Sequence, residues 1–407
     1  MPYKYKMERL LRCISLFVLL TIQIFLASPS FAQDKIVKIG ALLALSGPLA
    51  AAGKEIREAV DLAVEDINRS GGIRSIGGAK FEVSYGDSQA RPDVANSEAE
   101  RLISREGVLA VIDMYPSVTT LAASQVAERL KTPFYAAVSV ADSTTERGLS
   151  YIFQQVPRSY SLVKFHLDVL DYFERIGKKK LTRVAIVHED GDYGQSIAAD
   201  AQAMLKQQGY VVVGTFSYPF RTTDVSTMMA RVKASNPQVV IQASYLGDSI
   251  LISRAATRIG LTVPFIDAGG KGTQSYVDAV GKGGDGEFVL KLWNKDVSSS
   301  ARILNDRYKE KTGKDMQHHP ALLYQAVMVV RRALEEAGRA DRDALRTALA
   351  KVDITPGPDL ILPYDRIRFN EKGLIREGGF LMTQIVNGEF VTVFPEKFSS
   401  GKPKLLP

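Results

Sequence analysis

The 407-residue chain has one cysteine, one tryptophan and four histidines. The cysteine, Cys13, stands ahead of an apolar run over 14–27, badly placed for lipid attachment at a cleavage site, and the rest of the chain has no disulfide to staple it. Stability must then come from a large core. So few histidines leave metal and Ser-His-Asp chemistry poorly supplied. There is no Walker loop and no G-x-S-x-G elbow. No basic stripe with interleaved aromatics exists, so nucleic acid is not expected as a partner. Beyond the first 32 residues no apolar stretch is long enough to span a bilayer.

What the sequence does have begins with a leader. Lys4, Lys6, Arg9 and Arg12 precede the apolar run, and Ser30-Phe31-Ala32 supplies small residues for a signal peptidase, so residues 1–32 read as a signal peptide cut after Ala32. That reading places the mature protein in the periplasm. Four basic residues and one acid fall within the leader, so three of the seven net positive charges leave with it and the mature chain carries about +4. The 375 residues that remain, in a chain that is 45% hydrophobic, are enough for two domains of ordinary size.

Hydrophobic periodicity alternates along most of the chain. Strands over 35–45, 80–85, 109–114 and 134–137 are interleaved with helices over 54–70, 93–106 and 119–130. After a short apolar stretch at 151–155 the pattern restarts. Helices over 159–176, 193–208, 226–234 and 248–259 now alternate with strands over 183–188, 211–216, 239–243 and 265–266. Two such units imply α/β architecture, two doubly wound parallel-sheet lobes with a cleft between their carboxyl-end loops. Residues 287–292 read as a connecting strand, 301–312, 321–337 and 342–351 as helices, and Asn387-Gly388 as the turn of a terminal hairpin. Residues 399–407 are expected to be loose.

Several short patterns bear on chemistry. Gly281-Lys282-Gly283-Gly284-Asp285-Gly286 matches G-x-G-x-x-G, yet it follows a helix and precedes a strand, the reverse of a dinucleotide site, and reads as a loop. His318-His319-Pro320 reads as a helix-start loop, since adjacent imidazoles diverge, and no metal or other cofactor is expected. Glu189, Asp190 and Asp192 have too few oxygens at the wrong spacing for a calcium loop. The strand-to-helix turns are more promising. Ser46-Gly47-Pro48 ends the first strand, and small hydroxyl residues crowd 113–120 and 136–145, where Ser117 can cap a helix and face the cleft. Tyr193 and Tyr245 occupy matching turns of the second unit.

The stretches "IGALLALSGPLAAAGKEIREAVDLAVEDINRSGGI", "RVAIVHEDGDYGQSIA" and "TTDVSTMMARVKASNPQVVIQASYLGDSILISRAATRIGLTVPFI" resemble the periplasmic substrate-binding proteins of branched-chain amino-acid (Leu/Ile/Val) ABC transporters, with the type I periplasmic binding protein fold. The resemblance covers nearly all of the mature chain. It implies three crossover segments, near 151–157, near Gly286 and around Lys372, so that 33–153 with 287–372 form one lobe and 154–286 with 373–407 the other. It also implies a monomeric, non-catalytic receptor whose partners are a small-molecule ligand and a membrane permease. A sensor that reports ligand occupancy to a regulator is the alternative, and an exported α/β enzyme ranks behind both.

The family's amino-acid site carries over unevenly. Ser117 falls on the position that holds the ligand carboxylate, Tyr193 and Tyr245 on aromatic positions of the second lobe, and Val138 on a carbonyl position near the ammonium. Val140 stands where the family usually has threonine, Gly269 where amino-acid binders have an acid, and Ala52 where some members have tyrosine. Ser139 and Asp267 are near enough to compensate, and Ser46 completes the expected set. The ligand expected on these grounds is a carboxylic acid or amide without a free α-amino group, with a branched-chain amino acid as the runner-up.

Overall fold

The protein is described by a computed structural model covering residues 35–404 together with Met7. The expected leader and Cys13 otherwise lie outside the described residues. Five parallel strands, β1 (Ile36–Leu43), β2 (Lys80–Asp87), β3 (Val111–Asp113), β4 (Phe134–Ala136) and β5 (Ile152–Gln154), form the first sheet in the order β2-β1-β3-β4-β5. Its helices are α1 (Ala50–Arg69), α2 (Pro92–Glu100), which runs on into a π-helical turn at Arg101–Arg105, and α3 (Ser117–Arg129). α1 buries Ile56, Ala59, Val60, Ala63 and Ile67 at helical spacing and stops at Gly71-Gly72, both with positive φ.

The second sheet has seven strands: β6 (Arg183–Glu189), β7 (Val211–Tyr218), β8 (Val239–Ala243), β9 (Phe265–Asp267), β10 (Phe288–Lys291), β11 (Leu381–Val386) and β12 (Glu389–Phe394). Their order is β12-β11-β10-β9-β8-β6-β7, parallel except for the terminal hairpin. Asn387 and Gly388 both have positive φ, as a two-residue hairpin turn requires. The helices here are α4 (Ser159–Gly177), α5 (Asp192–Gln207), α6 (Ser226–Ala234), α7 (Leu246–Ile259) and α8 (Gln274–Val280). The chain then returns to the first lobe as α9 (Ser299–Thr312), α10 (His318–Ala337) and α11 (Arg342–Lys351). Tyr308 Oη donates to the Glu55 carbonyl (3.0 Å) and Tyr324 Oη to Asp66 (2.8 Å), fastening α9 and α10 to α1.

Two expectations about the path of the chain are corrected. Phe288–Lys291 pairs with both β9 and β11 as an interior strand of the second sheet, so 288–291 does not go with the first lobe and the passage back to it follows Lys291. The run is fully apolar before Lys291, as suits a strand flanked on both sides. The tail is also tied down as far as Lys404. Lys404 and Gln384 exchange hydrogen bonds of 2.7 and 2.8 Å, and Ser400 N–H donates to Thr392 (2.9 Å).

In each lobe one glycine lets a helix start hard against the strand before it. A Cβ on Gly53 would lie 1.9 Å from the Ala44 carbonyl oxygen, and one on Gly194 would lie 2.1 Å from that of Glu189. Both turns are thereby held at the carboxyl edge of their sheets, where the loops of the two lobes meet.

Candidate functional site

Those loops line a cavity between the lobes, the place where a small-molecule site of a two-lobed α/β protein is expected. On the first-lobe side β3 ends at Asp113, and Met114-Tyr115-Pro116 leads into α3 at Ser117. Thr119 and Thr120 both send their N–H groups back to the Pro116 carbonyl, which fixes the helix start. Asp113 is buried and accepts from the Thr120 hydroxyl, and burial pushes its carboxyl up to about 7. Ser117 is buried, and its hydroxyl accepts from Ser139 Oγ at 3.0 Å. Ser139, just past β4, also meets Thr144 Oγ1 at 2.9 Å, while Gln154 Nε2 holds its carbonyl at 3.0 Å. Val138 and Val140 flank it on the cavity wall.

On the second-lobe side three strand ends contribute. After β6, Glu189 accepts from Gly191 N–H (2.6 Å) and Gly194 N–H (2.7 Å), and burial still pushes its carboxyl up to about 7. These bonds set the first turn of α5 and present Tyr193, whose hydroxyl donates to the Ala268 carbonyl at 3.0 Å. After β8, Tyr245 precedes α7. Its N–H donates to Asp248 (3.0 Å), and its ring packs on Tyr193 (5.1 Å) and Phe220 (5.2 Å). It also lies parallel to Tyr115 of the first lobe, 2° from coplanar with centroids 6.0 Å apart. Burial raises the Tyr245 phenol well above its usual value. After β9, Asp267 accepts from Gly269 N–H (2.8 Å) and Lys271 N–H (3.3 Å), shaping the loop that bears Gly269 and Gly270.

The returning segment closes the third side. Leu292, past β10, lines the cavity beside His318 and His319, the first two residues of α10. Leu292 N–H donates to His318 Nδ1 at 3.4 Å. The two imidazoles stack at 3.9 Å, and His319 packs on Tyr115 at 4.6 Å. Behind them Lys291 is fully buried, donates to Gln317 Oε1 (2.7 Å) and sits 3.9 Å over the Phe390 ring; burial pushes its ammonium down to about 7. No Asp, Glu, Lys or Arg lines the cavity among the described residues. No group of three or more His, Cys, Asp or Glu among them is placed to hold a metal, and no helix among them is long and apolar enough to cross a membrane.

Seven of the expected residues meet at this cavity: Ser117, Val138, Ser139, Val140, Tyr193, Tyr245 and Gly269. Two do not. Ser46 is drawn to the end of β2, its hydroxyl donating to Asp87 Oδ2 at 2.6 Å and its N–H to Asp87 Oδ1 at 3.2 Å. Asp267 lies behind the wall, one carboxylate oxygen spent on the Gly269–Lys271 loop, and burial pushes the group up to about 7 against the pull of Lys271. The sequence reading missed Tyr115 and the histidine pair. Tyr115 sits in a turn already singled out for its hydroxyls. His318 and His319 do begin a helix, as the sequence implies, but their rings stack instead of diverging, and scarce polar rings at a helix start are a signal of their own.

Residues 36–387 match the family model for periplasmic binding proteins. A Leu/Ile/Val-binding protein homolog (homolog 7) of Brucella suis is 31% identical over 390 residues, 93% of this chain and 96% of the relative. Among solved structures, a branched-chain amino acid transporter substrate binding protein of Streptococcus pneumoniae in complex with isoleucine has a TM-score of 0.76 at 22% identity, covering 88% of this chain and 98% of that one. A solute binding protein of an ABC transporter from Rhodopseudomonas palustris, in complex with 3,4-dihydroxybenzoic acid, also has a TM-score of 0.76, at 20% identity over 88% of this chain and 95% of its own. At these identities the two structures speak to the fold.

Proposed function

The chain belongs to the periplasmic binding protein family, and we propose that it is the extracytoplasmic receptor of an ABC import system, closing its two lobes on one small carboxylate or amide. Relatives and fold alike are those of substrate-binding proteins, not enzymes. Closure needs hinges and a difference in affinity between open and closed states, with no reactive side chain.

The observation that carries the ligand class is the uncharged wall. Ser117 and the start of α3 supply hydroxyl and amide for an anionic group, whereas an α-ammonium would meet Gly269 and Val140, neither of which offers an acceptor side chain. An unpaired ammonium in a closed cleft costs several kcal/mol. The ligand is therefore a carboxylic acid or amide without a free α-amino group, and the rings of Tyr115, Tyr193 and Tyr245 suit an apolar or aromatic body. The aromatic acid bound by the Rhodopseudomonas palustris neighbour is consistent with this class. The second reading, a branched-chain amino acid, is favoured by the name of the Brucella relative and by the isoleucine of the Streptococcus pneumoniae structure.

A thermal-shift panel of leucine, isoleucine and valine against their 2-oxo acids and simple aromatic acids separates the two, because a ligand that binds only the native state raises the melting temperature. Stabilisation by the amino acids alone would overturn the first reading. The receptor acts as a monomer in the periplasm after cleavage behind Ala32, which amino-terminal sequencing of the exported protein and its mass in solution test. Solute uptake that depends on a membrane permease would separate transport from the alternative, a binding protein that feeds a regulator.

A further inference from the structure

We propose that His318 and His319 form a polar subsite that recognises a hydroxyl group on an aromatic acid whose ring lies in the cavity beside Tyr115. The inference rests on the reading of the cleft as a site for a carboxylate without an α-ammonium, and it adds the substituent that the ligand carries.

Both rings line the cavity and are more than nine-tenths buried, at 0% and 8% exposure. His319 Nδ1 is buried and has no hydrogen-bond partner among the described residues, and His318 Nε2 lies against the loop after β9 at Gly272. Buried polar atoms without partners are rare because their desolvation is uncompensated, and a pair of apolar side chains would fill the same space without that penalty. Their placement is also built. A Cβ on Gly272 would lie 2.5 Å from His318 Nε2, so the loop after β9 has a glycine where the imidazole needs room.

The hydrogen-bonding character follows from the neighbours. Leu292 N–H donates to His318 Nδ1, so the proton of that neutral ring is on Nε2, which makes Nε2 a donor. Burial and Lys291 hold both imidazoles neutral, His319 being pushed down to about 3. A neutral pair offers donors and an acceptor but no charge. That is the complement of a hydroxyl, which gives one proton and takes another, and it fits either tautomer of His319. A carboxylate gains more from Ser117 and the start of α3, so the two ends of the ligand are told apart. The His319 ring, 4.6 Å from Tyr115, sets the distance between the polar group and the aromatic face.

The test is calorimetric titration of the mature protein with benzoate, 3-hydroxybenzoate, 4-hydroxybenzoate and 3,4-dihydroxybenzoate. At least one hydroxylated acid should bind about tenfold or more tighter than benzoate. In His319→Phe that ratio should fall to about twofold, whatever the change in benzoate affinity itself. His319→Asn should restore part of the discrimination, and His318→Phe serves as the second variant if the first does not fold. Equal affinities for benzoate and all three hydroxylated acids in the wild type would overturn this inference and leave the carboxylate reading standing. The same ratio in His319→Phe and His318→Phe would overturn it as well. Binding of leucine with no binding of any benzoate would bring down both.

Discussion

The two walls of the cleft are built from similar turns but present different chemistry. On the first-lobe wall Ser117 and Ser139 join Thr144 in a chain of hydroxyls that opens on the cavity. On the second-lobe wall the turns are held by carboxylates that face away from it. Glu189 takes the N–H groups of Gly191 and Gly194, Asp248 that of Tyr245, and Asp267 those of Gly269 and Lys271. Three acids within reach of the cleft are thus committed to loop architecture, and what remains on that wall is Tyr193, Tyr245, small and apolar residues, and two hydroxyls, Ser244 and Thr273, that are themselves engaged with Ser249 and the Tyr276 N–H. The difference teaches that an acid close in sequence to a binding loop is not thereby a ligand group: its oxygens go first to the nearest buried amides, because leaving those unpaired costs about 1–3 kcal/mol each.

The largest expected effect comes from removing such an acid. Glu189→Ala strands two amides under Tyr193 and should lower unfolding free energy by about 3 kcal/mol in a denaturant titration. A variant with unchanged stability and lost ligand affinity would instead make Glu189 a ligand group and erase the contrast between the walls.

Next comes the pH dependence that buried acids impose. Asp113 is pushed up to about 7 by burial, above its unfolded value of about 3.9, so its contribution is most favourable at low pH and is lost as pH rises from about 4 through about 7. His166, buried and pushed down to about 4, acts in the opposite sense, favouring the fold above about 6.5 and costing stability as pH falls from there towards 4. The two trends are separated by comparing Asp113→Asn with the wild type. The wild type should lose stability relative to the variant, on the order of a few kcal/mol, between pH 4 and pH 8. Parallel stability curves would show that Asp113 does not titrate across that range.

Ser117→Ala tests the first-lobe wall directly. It should weaken binding of a carboxylate ligand by about one order of magnitude, from loss of a charge-assisted bond, with little change in melting temperature. Equal affinity would leave Ser117 as part of a helix start only. The smallest effect is expected at the rim. Arg221 of the second lobe donates to the Gln89 (3.2 Å) and Ala90 (2.8 Å) carbonyls of the first, and all three residues have positive φ. Arg221→Ala should weaken any ligand by about two- to fivefold by favouring the open form, visible in small-angle scattering as a larger radius without ligand. An unchanged radius and affinity would remove Arg221 from the closing contacts.

Much of this molecule is legible in its sequence because most elements obey one period each. The alternation that predicts β1 to β4 and β6 to β9 is that of strands separated by helices in a parallel sheet, and Asn387-Gly388 marks its hairpin by the positive φ that both residues adopt. Phe288–Lys291 was misplaced because four residues carry no sign of which neighbours they will pair with. The site divides in the same way. Ser117, Tyr193 and Tyr245 announce themselves at strand-to-helix turns, but Ser46 stands at such a turn too, and only the parallel pairing of β1 with β2 brings Asp87 close enough to turn its hydroxyl away. His318 and His319 reach the cavity through a third segment, more than 70 residues past Tyr245, and no local pattern reports that return.

The account stands on the cleft accepting a carboxylate while offering no anionic partner to an α-ammonium. Calorimetric titration of the mature protein with leucine and with the 2-oxo acid of the same carbon skeleton tests this most directly, because only the group at the α-carbon differs. The account predicts that the 2-oxo acid binds at least about tenfold tighter, the burden of a buried ammonium without an anionic partner. Tighter binding of leucine would contradict it and would require the unpartnered Asp267 oxygen to turn into the cleft.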